Sequence, residues 1–135
     1  MDMPIAEVAP TESELAALVD AFYAKVRADA ELGPLFNAAV DDWPEHLATL
    51  AYFWSSVMLT TGRYKGNPVA AHGRHVKSIR PEMFDRWLAL WSETAREKLS
   101  PAAADLIRVK AERIAESLKL ALFFRIDPMR GRPAV

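Results

Sequence analysis

The chain has 135 residues, enough for one domain with a sizeable core and little room for a second. Hydrophobic residues make up 51% and charged residues 26%, with five Gly and nine Pro, which excludes wholesale disorder and fibrous or low-complexity architectures. Seventeen Lys+Arg against eighteen Asp+Glu give a formal net charge of -1, and there are no cysteines, so nucleic acid and anionic membranes are not expected partners and disulfides, thiolate metal sites and a cysteine nucleophile are excluded.

Caps and hydrophobic periodicity predict the elements in chain order. Thr11-Glu12-Ser13-Glu14 has the capping-box form, and Leu15, Leu18, Val19, Phe22 and Val26 follow at helical spacing, predicting an amphipathic helix from about Glu12 to Ala30. Leu32-Gly33-Pro34 ends it, because glycine suits a left-handed cap and proline cannot continue the ladder, and Leu35-Phe36-Asn37 reads as a short helical turn. Asp42 caps a second long helix, with Pro44 in its first turn and Glu45 reaching back, that runs to about Thr60. Gly62 to Asn67 is a loop, and Asn67-Pro68 opens a short helix to about His75. Arg80-Pro81 starts a helix on which Phe84, Trp87, Leu88, Trp91 and Ala95 repeat at helical spacing, and Ser100-Pro101 starts a last one reaching about Phe124. No segment shows sustained period-two alternation, so the expected class is all-α, with four long helices and one or two short ones. The N-terminal MDMPIAEVAP carries no positive charge ahead of an apolar run, and charges interrupt every apolar stretch before membrane-spanning length. A cytoplasmic protein without a membrane span is therefore expected.

Three histidines, His46, His72 and His75, hold most of the chemical potential of the sequence. At about 100° per residue, His46 shares a helix face with Leu50, Phe53 and Val57 and therefore points inward. It is either a hydrogen-bonded histidine at the edge of the core or one overlooking a ligand. On the short helix, His72 shares a face with Val69 and Val76, while His75 is displaced away from both valines. An imidazole among small apolar residues suits an iron or zinc centre, and a surface histidine is the plainer reading. Tyr23 lies at the edge of the first apolar stripe, where a buried phenol needs a hydrogen-bond partner, either a peptide carbonyl or a ligand. Trp43, Trp54, Trp87 and Trp91, with Phe53 and Phe84, are most simply core, although an indole N–H beside a pocket would be a fixed donor. Arg63, Arg74 and Lys77 flank the short helix, either as solvated charges or at the emerging edge of an anionic cofactor. Glycine-rich phosphate loops, H-E-x-x-H and G-x-S-x-G are all missing.

The ordered series is more specific than any one motif. Phe22-Tyr23-Ala24-Lys25-Val26-Arg27, Leu32-Gly33-Pro34-Leu35-Phe36-Asn37, Trp43-Pro44-Glu45-His46, Tyr52-Phe53-Trp54, Tyr64-Lys65-Gly66-Asn67-Pro68, His72 and Phe84-Asp85-Arg86-Trp87 together resemble the group III truncated haemoglobins over about residues 15 to 124. The paired glycines of the other truncated groups are missing between the first helices. The resemblance implies a truncated globin fold, a two-over-two helical sandwich around haem b, spanning 11–125 with an N-terminal extension over 1–10 and a tail over 126–135. It implies His72 as the proximal iron ligand, and Tyr23, His46, Leu50 and Trp87 in the distal pocket. Phe53, Trp54 and Phe84 would pack on the haem, with Leu50 bordering both sides of the site and Arg74 at its anionic edge. Dioxygen, nitric oxide or another small diatomic ligand is the implied partner, with a reductase to keep the iron ferrous. Peroxidase-like or nitric oxide dioxygenase activity is the enzymatic alternative. A non-haem metal site from His46, His72, His75 and Glu45, and a cofactor-free helical interaction module, are the remaining readings.

Overall fold

The computed structural model of the chain describes residues 8–123, 126–127 and 132–133. Among the described residues six bounded helices follow one another: α1 (Glu12–Ala28), α2 (Gly33–Ala39), α3 (Trp43–Leu59), α4 (Pro68–Gly73), α5 (Glu82–Lys98) and α6 (Pro101–Phe123). Two short strands, β1 (Ile126–Asp127) and β2 (Arg132–Pro133), then pair antiparallel. The expected end of the last helix at Phe124 lies outside the described residues.

Four of these six helix starts are capped by a side chain. The Thr11 hydroxyl accepts from the Glu14 N–H at 3.1 Å while the Glu14 carboxylate accepts from the Thr11 N–H at 2.9 Å, so two donors without helical partners are satisfied at once. Asp42 accepts from the Glu45 N–H at 3.1 Å, Asn67 from the Ala70 N–H at 3.2 Å, and Ser100 from the Ala103 N–H at 3.2 Å. Glu45 does not complete a reciprocal box among the described residues. Thr60 ends α3 in the left-handed region at φ 53°.

The junction of α1 and α2 corrects the sequence reading. α1 stops at Ala28, two residues before the expected end, where Asp29 turns extended. Gly33 opens α2 instead of capping α1, and its φ is not positive. What requires glycine there is proximity: a Cβ at residue 33 would lie 2.7 Å from the Arg27 carbonyl oxygen. The Asp29 carboxylate secures the corner, since one oxygen accepts from the Glu31 and Leu32 N–H groups and the other from Arg86 of α5 at 2.8 and 2.6 Å.

Packing arranges the long helices as two pairs, α1 against α3 and α5 against α6, with α1 also laid on α5. The apolar stripe of α1 (Leu15, Leu18, Val19, Phe22, Val26) is fully buried and forms the centre of the core with Trp54, Trp91 and Ile107. This is the two-over-two all-α arrangement that the sequence implies. The short α4 buries no residue of its own and packs against α6, and a space opens beside it.

Candidate functional site

That space is an apolar cavity of about 280 Å³, near the lower end of small-molecule sites. α1 contributes Tyr23, α3 contributes His46, Leu50, Phe53 and Trp54, α4 contributes His72, and α5 contributes Phe84 and Trp87. A second, more polar cavity of about 420 Å³ adjoins it, sharing His46, His72 and Ile79 and adding Asp41, Asp42, Glu45, Arg74 and His75. The site is therefore a dry interior with a charged mouth.

His72 is held by its own helix. Its Nδ1 lies 2.7 Å from the Pro68 carbonyl oxygen, and since a carbonyl only accepts, the proton belongs on Nδ1 and the lone pair on Nε2. The half-buried ring lines the cavity. An imidazole fixed in this tautomer by a backbone carbonyl is the usual form of a metal-ligating histidine. α4 ends at Gly73, two residues earlier than expected, so His75 falls in the following turns, exposed at the mouth. Val69 is 42% exposed, so the face expected to unite Val69, His72 and Val76 is not a buried one.

Polar atoms gather on the α1, α3 and α5 walls. Tyr23 is 4% exposed, and burial pushes its phenol up to about 12, with the Trp87 side chain pulling weakly the other way. His46 Nε2 is buried with no hydrogen-bond partner among the described residues. Burial lowers the His46 pKa below its ordinary value, and neighbouring His72 adds to that shift. The Tyr23 and His46 rings meet edge to face at 6.0 Å, and Trp43 packs on both. A buried ring nitrogen left unpaired is costly and points to a group that the protein expects to meet.

The chain and "Group 3 truncated hemoglobin ctb" of Campylobacter jejuni are 32% identical over 116 residues, covering 83% of this chain and 91% of the relative. The chain belongs to the group III truncated haemoglobins. A crystal structure of group III truncated haemoglobin from Campylobacter jejuni superposes with a TM-score of 0.77 at 31% identity, covering 85% of this chain and 93% of that one. No family model matches the chain. As a truncated haemoglobin the protein uses haem to bind a small gaseous ligand such as dioxygen.

The site fits such a group on its own evidence: an apolar slot, one imidazole with a free lone pair on one wall, and a phenol, an indole and an orphaned ring nitrogen elsewhere around it. Eight of the nine residues expected from the sequence line the inner cavity, and the ninth, Arg74, lies exposed at the mouth, in the adjoining cavity that Asp41, Asp42 and Glu45 also line. Arg63 is engaged with Glu12, with Nη2 3.3 Å from the carboxylate. Among the described residues no three His, Asp or Glu side chains converge as metal ligands, so the non-haem site of His46, His72, His75 and Glu45 is not assembled. No helix among the described residues is long and apolar enough to cross a membrane.

Sequence reasoning missed Tyr64 as a wall of the cavity. It is positioned by its backbone N–H, which donates to Ser56 Oγ at 3.0 Å, and its ring meets Phe53 edge to face at 5.1 Å. An aromatic residue in an otherwise polar loop was the available signal. Ile114, Ala115 and Leu118 of α6 also line the cavity, and their helical spacing was visible only as core.

Proposed function

We propose that His72 would hold the iron of haem b, that Tyr23, Trp87 and His46 would meet the gas, and that the protein reversibly binds dioxygen or a related diatomic ligand. The observation that carries this reading is the 2.7 Å contact of His72 Nδ1 with the Pro68 carbonyl, which leaves Nε2 as a lone-pair donor in an apolar cavity. When bound, haem supplies an iron centre that accepts a diatomic ligand. The remaining work belongs to the chain. Leu50, Phe53, Trp54 and Phe84 exclude water from the slot. Tyr23 O–H and Trp87 N–H donate to the negative charge that a diatomic ligand gains, and in a dry site such bonds mainly slow release. His46 either adds a further hydrogen bond or guards access from the mouth, and Arg74 meets the anionic edge of the macrocycle.

In this reading the working unit spans 11–125, with flanks at 1–10 and 126–135, and a reductase partner in the cytoplasm keeps the iron ferrous. The convergence of two donors from separate helices also favours a second reading, peroxide turnover or nitric oxide oxidation in the same pocket. Peroxide turnover by the ferric protein, compared between wild type, Tyr23→Phe and Trp87→Phe, separates that from simple binding.

The absorbance spectrum of the purified chain tests the main reading. A strong Soret band is expected, lost on gel filtration in His72→Ala and retained in His75→Ala. Retention in His72→Ala with loss in His75→Ala would reverse the axial assignment.

A further inference from the structure

Behind the cavity stands a stack of three indoles. Trp91 is 0% exposed and lies between Trp54, at 4.5 Å between centroids and 20° between planes, and Trp87, at 5.6 Å and 4°. Phe22 closes the open edges, perpendicular to Trp91 at 4.8 Å and to Trp87 at 5.5 Å. The outer indoles, Trp54 and Trp87, line the cavity, whereas Trp91 does not. Trp91 Nε1 is buried with no hydrogen-bond partner among the described residues.

We infer that this stack is a one-electron reserve for the pocket, with Trp91 as the residue on which an oxidising equivalent from hydrogen peroxide comes to rest as a protonated indole cation radical.

Three physical points support it. A positive charge on Trp91 faces the π-clouds of two indoles, both centroids within the roughly 6 Å over which tryptophan faces attract cations. Parallel overlap with two like rings lets the missing electron be shared, which makes its removal easier than from an isolated indole. In water an oxidised indole sheds its N–H proton, but Trp91 Nε1 has no hydrogen-bond partner among the described residues, so the proton stays. Trp87 and Trp54 touch both the pocket and Trp91 and provide the path inward.

The balance closes with peroxide as the oxidant. Each hydrogen peroxide accepts two electrons and two protons from solvent, its O–O bond breaks, and two waters leave. Both electrons come from Trp91 side chains, one in each of two protein molecules, leaving one indole cation radical per molecule. This inference rests on the haem-binding reading above, and the two fail differently.

The test uses haem-loaded ferric protein mixed with equimolar hydrogen peroxide, freeze-quenched and examined by electron paramagnetic resonance. The expected result is an organic radical whose couplings change when the tryptophans carry ring deuterium and not when the tyrosines do, with an exchangeable N–H coupling that disappears in D2O. Trp91→Phe should abolish that signal while keeping the Soret band. If Trp91→Phe does not retain haem, isotope labelling of the wild type decides alone. A signal from Tyr23 or another tyrosine, a tryptophan radical without the exchangeable coupling, or an unchanged signal in Trp91→Phe overturns the inference. A missing Soret band in the wild type would instead defeat the haem reading and this inference with it.

Discussion

Tyr23→Phe removes one oxygen from the wall of the cavity, the atom to which the Trp87 side chain also bonds, and keeps the ring. The ring is held by Phe22 at 4.7 Å, Phe36 at 5.7 Å, and Trp43 and His46 at 6.0 Å, contacts that phenylalanine preserves. The ligand side changes instead. A hydrogen bond to a partly charged acceptor in a water-excluded site contributes about 1.5–3 kcal/mol, and at about 1.4 kcal/mol per tenfold its loss speeds ligand release roughly 10- to 140-fold. Trp87 remains as a second donor, so the lower half of that range is expected for the single variant and the upper half for Tyr23→Phe combined with Trp87→Phe. The assay is dioxygen release from the ferrous protein by stopped flow, with the Soret maximum and melting temperature as controls for pocket integrity. Release within about threefold of wild type, with both controls unchanged, would refute the donor role of Tyr23.

The same phenol gives a pH prediction for the haem-free chain. Its folded pKa of about 12 exceeds the unfolded 10.0, so its contribution is fully present below pH 10 and is lost as pH rises toward 12, up to about 3 kcal/mol. Wild type should lose that much more stability over this window than Tyr23→Phe, read from denaturant midpoints; parallel curves would contradict it. Gly33→Ala forces a Cβ against the Arg27 carbonyl oxygen, a backbone atom 2.7 Å away, and should cost about 1–3 kcal/mol, measured by urea unfolding. Asp29, with a side chain 6% exposed, has its carboxyl held below the ordinary range chiefly by the Arg86 guanidinium, with the Leu32 and Glu31 N–H groups adding to it against desolvation. A lowered folded pKa stabilises above the unfolded value and is lost as pH falls through the folded one, so Asp29→Ala should lower the melting temperature at neutral pH and narrow its gap from wild type in acid.

Caps were the most legible part of the fold. Thr11, Asp42, Asn67 and Ser100 each carry a side-chain oxygen that meets an N–H one turn on, and such an interaction closes within four residues of sequence. Gly33 was legible as a break but not for its reason, because the Arg27 carbonyl reaches it only after α2 folds back on α1. The candidate site divides in the same way. Tyr23, His46 and His72 stood out as polar groups at the margins of apolar faces, and all three border one cavity. Arg74 was read from its closeness in sequence to His72 as meeting an emerging anionic edge, and as the C-cap residue of the short helix it is exposed at the mouth. Trp87 and Trp91 were legible as neighbours one turn apart on α5, but the stacking of Trp54 on Trp91 joins α3 to α5, and no local pattern records it.

The walls of the cavity are also the walls of the core. Trp54 and Met83 belong to the buried cluster that α1 nucleates, and both border the cavity, while Trp87 packs against the same cluster from its edge. An apolar void is destabilising at roughly 24 cal/mol per Å³, and His46 adds a buried ring nitrogen with no hydrogen-bond partner among the described residues. Both deficits border the cavity that the proposed reading gives to haem, where occupancy would repair them together, and a ligand present at about a thousand times its dissociation constant adds about 4 kcal/mol to the folded state. The residues that make the haem-free chain a weaker fold are thus those that give the filled pocket its polarity, and folding and haem capture are coupled through the same side chains.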